Sequence, residues 1–380
     1  MDFELSAQEQ EIVNQVREFT QKRLAPGVVE RDEKSEFPLE AFKEFGNMGM
    51  YGLCYPQEFG GTDTGYLAYI LAVEEVSKID ASFGIGFSVN TSLYGGSVMY
   101  SNATDEQKKR FLSPIASGKA IGSFGLTEAS AGSDAAGQQT IATPDGDGYV
   151  LNGTKIFNTN GPLADYTVVY CLLDPSVGTK SMAAFVVEKG TPGFHVGKIE
   201  NKMGIRSAQV SEMVLSNVKV SADQMIAKPG EGFKLAMKTL DGGRIGVGAQ
   251  ALGIAEGAFE IARDYLKQRE QFGKPLFKQQ YLAFKMAELY ADIEKAKLVL
   301  YKAAKLKEAG KPFTTAAAIA KMTCTDVAMK VTTECVQMLG GNGYMKEYHV
   351  ERMMRDAKIT QIYEGTNEIQ KLVISGGLFR

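Results

Sequence analysis

The sequence predicts an α+β fold in three consecutive parts. These are an all-α domain over residues 1–118, a middle antiparallel β domain over 119–230 and a four-helix-type bundle over 231–380. Three observations carry this reading. Apolar residues recur at helical spacing in the first part, short β-branched runs alternate with turns in the second, and two long unbroken helical stretches fill the third. At 380 residues the chain is also too long for one ordinary core.

In the first part, Ser6 and Glu9 have capping-box spacing and precede Ile12, Val13, Val16 and Phe19 at helical intervals. A second helix is predicted from Tyr66 to Lys78, and a third near Thr104, with acidic residues in its first turn. Pro26, Pro38 and Pro56 punctuate the region. In the middle part, Tyr149–Leu151, Tyr166–Tyr170, Ala183–Val187 and Glu212–Leu215 read as strands, and Asp145-Gly-Asp-Gly148 as a hairpin turn. In the last part, Ala249, Gly253 and Gly257 recur every fourth residue, which lets a second helix approach closely. The stretches Ala283–Ala309 and Thr314–Leu339 exceed an average helix, and Lys311-Pro312 and Gly340-Gly-Asn-Gly343 end them.

Composition excludes several classes. A content of 44% hydrophobic and 23% charged residues marks a globular chain. A net charge of −3 without a basic run argues against nucleic-acid or anionic-membrane binding. The four cysteines form no CxxC pair and read as reduced, mostly buried thiols. With only His195 and His349, neither a histidine metal site nor a catalytic triad is expected. Met1-Asp-Phe-Glu-Leu5 lacks the pattern of a signal peptide, and no apolar stretch is long enough to span a bilayer. A cytoplasmic protein is expected.

The residues that could carry chemistry lie in a few segments. In Asp356–Gln370, Glu364 follows an apolar, aromatic run and precedes Gly365; Thr366 or Asn367 can cap a final helix, with Gln370 placed to close a box with Asn367. A carboxylate on such a turn can be desolvated and aimed at a carbon-bound proton, or can simply be a surface residue. No dinucleotide fingerprint is present, since Gly246-Val-Gly248 falls inside a predicted helix, and there is no P-loop. The Gly-, Ser- and Thr-rich stretch Gly122–Asp134 is either a ligand-binding loop or an ordinary entry into the β domain. Phe157 and Thr159 could cover and hydrogen-bond a planar ring, or form a hairpin turn. Arg269 could hold a phosphate or serve as a basic helix C-terminus.

Taken together, six segments resemble the acyl-CoA dehydrogenase family from end to end. They are Leu126-Thr-Glu…Ala131-Gly-Ser-Asp134, Met203-Gly-Ile-Arg206, Leu240-Asp-Gly-Gly-Arg-Ile-Gly246, Arg269-x-x-Phe-Gly-x-Pro275, Gln337-x-x-Gly-Gly-Asn-Gly-Tyr344 and Arg355-Asp-Ala…Ile362-Tyr-Glu-Gly-Thr366. The branch looks like the short-chain, butyryl-CoA type. Branches acting on isovaleryl or long-chain substrates carry their base as a Glu just before the arginine of the third segment, where this chain has Gly243, so the base is expected to be Glu364.

The resemblance implies a homotetramer with one FAD per subunit. Phe124, Leu126, Thr127, Ser133, Phe157 and Thr159 would cradle the flavin. Arg269, Gln271, Phe272 and Gln280, with Gln337 and Gly341, would hold its diphosphate and adenosine end across a subunit boundary, and Thr366 and Glu368 would approach it. Ser133, Asp241, Arg244 and Gly365 would line the acyl-CoA site. It further implies dehydrogenation of a short acyl-CoA to a trans-2-enoyl-CoA, or the reverse, with electron-transferring flavoprotein as redox partner. The other reading is an FAD-binding subunit of an electron-bifurcating complex, mainly relaying electrons. Phe157 stands where many members carry Trp, and Asn158 and Ala129-Ser130 also depart from the family pattern, near the flavin face.

Overall fold

The computed structural model describes residues 4–379, so Met1-Asp-Phe3 of the N-terminal reading lies outside the described residues. The first part is helical, with α1 (Ala7–Phe19), α2 (Val28–Lys34), α3 (Leu39–Asn47), α4 (Tyr66–Ser77), α5 (Ala81–Ser88), α6 (Gly96–Tyr100), α7 (Asp105–Phe111) and α8 (Ser113–Ala116). Ser6 and Glu9 form the expected box, with Glu9 N–H donating to the Ser6 hydroxyl at 3.2 Å and Ser6 N–H to Glu9 Oε2 at 2.7 Å. Thr104 and Gln107 form a second box at the start of α7.

Two features of this part carry no sequence signal. The chain between α5 and α6, Val89–Gly95, is a wider π-helical turn, as is Thr20–Leu24 after α1. In both, a side chain takes a carbonyl of the wide turn: the Tyr55 hydroxyl donates to Thr91 O, and Arg31 Nη2 donates to Leu24 O. The rings of Phe19, Phe42, Phe45, Tyr51, Phe83 and Phe87 pack against one another at centroid distances of about 5–6 Å. They fix α1, α3 and α5 together.

The middle part contains β1 (Gly122–Gly125), β2 (Ile141–Asp145), β3 (Gly148–Thr159), β4 (Tyr166–Leu172), β5 (Met182–Glu188), β6 (Phe194–Ile199), β7 (Val210–Ser221) and β8 (Met225–Ala227). They form an 8-stranded sheet in the order β6-β7-β3-β2-β4-β5-β8, with β1 beside β4. Asp145 pairs with Gly148, so Gly146-Asp147 is the expected two-residue hairpin turn. Most pairings are antiparallel, as expected, but β1 and β2 both run parallel to β4. These pairings join segments far apart in sequence, and strand composition does not encode direction. β1 is tied to the first part because Gly122 N–H donates to Asn90 Oδ1 at 2.7 Å, and Asn160 Nδ2 bridges Gly86 O and Gly122 O.

The last part begins with α9 (Gly232–Gln268), 37 residues long, and a small hairpin of β9 (Glu270–Gln271) and β10 (Lys274–Pro275). It continues with α10 (Gln280–Glu308), α11 (Thr314–Leu339), α12 (Val350–Thr360) and α13 (Asn367–Leu378). The small-residue face of α9 does admit close packing. A side chain at Gly253 or Gly257 would overlap the carbonyls of Glu74 and Lys78 at the end of α4. No helix among the described residues is long and apolar enough to cross a membrane. Cys171, Cys324 and Cys335 are buried, Cys54 is half-buried, and all four are free thiols.

Candidate active site

The turn between α12 and α13 is built to hold Glu364. Glu364 has φ 52° and Gly365 φ 91°, both left-handed; glycine adopts this freely, whereas a Glu there costs on the order of 1–3 kcal/mol. The Thr366 hydroxyl caps α13 by accepting Ile369 N–H at 3.3 Å. Asn367, the other candidate cap, is buried instead, accepting from Lys321 Nζ at 2.9 Å and donating to Asp326 Oδ1 at 2.8 Å. Gln370 does not close a box with Asn367. Its amide turns back and donates to Gly365 O at 2.8 Å, because the cap is one residue earlier than that box requires. The strained turn is thereby fastened to both α11 and α13.

The Glu364 carboxylate itself is left without partners. Both oxygens are buried, and neither has a hydrogen bond among the described residues. Burial pushes its pKa up to about 7, against the pull of Lys321 and Arg244. Lys321 is in turn pushed down to about 8 by burial. Arg244 Nη1 binds Asp241 Oδ1 at 2.6 Å, and Thr314 Oγ1 donates to Asp241 Oδ2 at 2.6 Å, so this pair is tied to the start of α11. The carboxylate occupies the space a side chain at Gly243 would need, with Leu93 alongside. A residue larger than glycine at 243 and a base in this position therefore exclude each other. The Tyr363 hydroxyl donates to Gln250 Oε1 and fixes the preceding residue to α9. A buried carboxylate near neutrality, with both oxygens unpartnered, can accept a proton from a bound molecule.

The structure gathers Arg244 and Asp241 about the Glu364–Thr366 turn. A second group lies on the sheet. Phe124 on β1 packs on the Tyr170 ring at 5.3 Å, Leu126 is buried, and Thr127 O accepts Ile156 N–H at 2.8 Å. Phe157 is left-handed, with φ 58°, and its ring is 61% exposed; Thr159 O accepts from the Ser123 hydroxyl at 2.8 Å, and Ser133 is exposed on the loop after β1. A third group stands apart. Arg269, Gln271, Phe272 and Gln280 are exposed around the β9–β10 hairpin, as are Gln337 and Gly341 at the end of α11, whereas Glu368, exposed in the first turn of α13, belongs with Glu364. At 1.5 Å per residue, Gln337 lies about 24 Å along α11 from Lys321, so one chain does not bring this group to Glu364.

Sequence reading missed Lys321, Gln250 and the pair formed by Glu128 and Lys155. Lys155 is 0% exposed and donates to Glu128 Oε1 at 2.7 Å, Gln138 Oε1 at 2.9 Å and Leu126 O at 3.3 Å. A lone lysine in the small-residue run Ala316–Met322, and another in the strand Gly148–Thr159, were the available signals.

Profiles of acyl-CoA dehydrogenase domains match nearly the whole chain: the N-terminal domain over residues 6–119, the middle domain over 123–218 and the C-terminal domain over 230–379. The chain belongs to the acyl-CoA dehydrogenase family. It is 52% identical to the short-chain specific acyl-CoA dehydrogenase of Clostridium acetobutylicum, with 100% of both chains covered. It superposes on butyryl-CoA dehydrogenase from Megasphaera elsdenii with a TM-score of 0.98, at 51% identity and full coverage of both chains. It also superposes, at TM-score 0.99, 50% identity and full coverage of both, on a chain from structural work on the electron transferring flavoprotein of Acidaminococcus fermentans and flavin-based electron bifurcation. An acyl-CoA dehydrogenase is an oxidoreductase, and the family is one of flavoproteins.

Proposed function

We propose that the protein dehydrogenates a short-chain acyl-CoA to a trans-2-enoyl-CoA, or catalyses the reverse reduction, in the cytoplasm, with Glu364 as the base. The observation that carries this reading is the buried, unpartnered Glu364 carboxylate, raised to about 7 and seated against Gly243, where only a glycine leaves room for it. A thioester carbonyl makes its α-proton weakly acidic. Glu364 takes that proton, and its own backbone N–H stabilises the developing enolate oxygen. Arg244 and Lys321 hold positive charge near the reacting carbons. Asp241, Ser133 and Gly365 line the entry for the thioester.

The residues present fit FAD. Phe157 holds an aromatic ring out into solvent on a strained backbone at the edge of β3, a costly arrangement unless a planar group covers it. Thr127, Thr159 and Ser133 offer hydroxyls around it. Phe124, Leu126, Thr366 and Glu368 would complete the flavin end. Arg269, Gln271, Phe272, Gln280, Gln337 and Gly341 would hold the phosphate and adenosine end of an FAD shared with a second subunit of a homotetramer. Phe272, 94% exposed, supports such a shared site. When bound, FAD supplies the hydride acceptor for the β-carbon.

Electron-transferring flavoprotein is the proposed redox partner. The similarity to a chain studied with the Acidaminococcus flavoprotein also supports the second reading, an FAD-bearing subunit of a bifurcating complex. Copurification with a two-subunit flavoprotein would favour that reading. A free oligomer active with artificial acceptors would favour the first.

The test is an anaerobic titration with butyryl-CoA, followed in the visible spectrum. The flavin band should bleach in the wild type. Glu364→Gln should retain the yellow colour while turnover falls about 10²–10⁴-fold. Retained turnover in the variant would remove Glu364 from its role.

A further inference from the structure

Lys155 stands within β3, fully buried, and the proposed reaction does not use it. Each proton of its ammonium goes to the same loop, residues 126–140. The acceptors are Leu126 O at 3.3 Å, Glu128 Oε1 at 2.7 Å and Gln138 Oε1 at 2.9 Å. Glu128 gathers the two ends of that loop. Its carboxylate accepts from Lys155 and also from the Gln139 and Thr140 N–H groups, at 2.7 Å and 3.0 Å. Glu128 and Ala131 exchange both of their backbone hydrogen bonds, at 3.2 Å and 3.0 Å. Between the clasped ends, residues 129–137 form an arch of turns, exposed except for Ala131 and the half-buried Ala135.

The base of this loop lies against the strand that carries Phe157. Ile156 N–H donates to Thr127 O at 2.8 Å, and a side chain at Gly125 would come within 3.4 Å of the Lys155 chain and of Asn158 Oδ1. Thr127 and Ser133, whose hydroxyls face the proposed flavin and thioester, stand on neither a helix nor a strand that could aim them. A buried ion pair is a poor source of stability beside apolar packing, but it fixes one arrangement of its partners. We propose that Lys155 and Glu128 are positioning residues for FAD: they clasp the loop in the shape that presents Thr127 and Ser133 to the flavin and the thioester. This rests on the FAD reading of Phe157 and Thr127.

Removing the ammonium frees Leu126 O and the Gln138 amide. Removing the carboxylate charge frees the Gln139 and Thr140 N–H groups. Either change lets the arch sample other shapes, and FAD must then select the competent one. Fixing the backbone of a single residue is worth about tenfold in an equilibrium. Stability and positioning separate in the double variant Lys155→Met/Glu128→Gln. It strands no charge, so the fold recovers, but the loop has lost its clasp.

The experiment starts from the FAD-loaded protein and follows FAD release on dilution, read as the fluorescence of free FAD. It compares wild type, Lys155→Met/Glu128→Gln and Glu128→Gln. Release should be about tenfold faster in the double variant, although that variant recovers most of the stability that Lys155→Met loses. Release should also be faster, by less, in Glu128→Gln. KM for butyryl-CoA should rise about tenfold in the double variant, since Ser133 is no longer held at the thioester entry. The flavin reduction rate at saturation should change less, because Glu364 stands on another element. FAD release at the wild-type rate, an unchanged KM, or a saturated rate that falls more than KM rises would overturn the proposal. Glu128→Gln decides alone if the double variant does not fold. A wild type that never retains FAD would instead overturn the cofactor reading.

Discussion

Glu364 and Glu128 are both carboxylates taken out of water, and the protein treats them in opposite ways. Glu128 accepts from Lys155 Nζ at 2.7 Å, Gln139 N–H at 2.7 Å and Thr140 N–H at 3.0 Å, and these donors outweigh its burial and hold it below the usual carboxylate range. Glu364 accepts from none, and burial carries it up to about 7. Burial alone does not make a base; burial without partners does. The satisfied carboxylate fixes the loop after β1, while the unsatisfied one is left available.

That contrast can be broken from either side. The largest effect on stability is expected for Lys155→Met, which strands the Glu128 charge. Denaturant unfolding should show a loss of about 3–5 kcal/mol, and adding Glu128→Gln should restore much of it. An unchanged midpoint would mean the pair contributes nothing.

Glu364→Gln should act in the reverse direction. A folded-state pKa raised above the unfolded value means stability is full below about pH 4.5 and is lost as pH rises through about 7. Removing the titrating group should therefore stabilise the FAD-free protein by about 3 kcal/mol at pH 8 and by little near pH 4.5. A variant that melts with the wild type at both pH values would contradict the assigned environment. A smaller effect, about 1 kcal/mol of destabilisation, is expected for Gln370→Leu, which removes the bond to Gly365 O. Its sharper readout is kcat, since the turn that aims Glu364 loosens.

The same comparison explains what sequence could and could not show. The box at Ser6 and Glu9, the Gly146-Asp147 hairpin and the close-packing face of α9 follow from local spacing, and all three were legible. Glu364 was legible as a carboxylate on a turn because Gly365 and a cap follow it. Its lack of partners was not, since that depends on α9 and α11 converging on it from elsewhere in the chain. The Glu128–Lys155 pair was hidden for the same reason: 27 residues separate its members, and each resembles a surface charge. The parallel pairing of β1 and β2 with β4 and the two π-helical turns also arise from tertiary packing rather than local preference.

The most direct test of the central claim is the pH dependence of flavin reduction in a single anaerobic turnover with butyryl-CoA. The rate should rise with an apparent pKa near 7 as Glu364 loses its proton, and that limb should vanish in Glu364→Gln. A wild-type rate already maximal at pH 5.5, as for an ordinary exposed carboxylate, would contradict the account of Glu364 as a buried, unpartnered base.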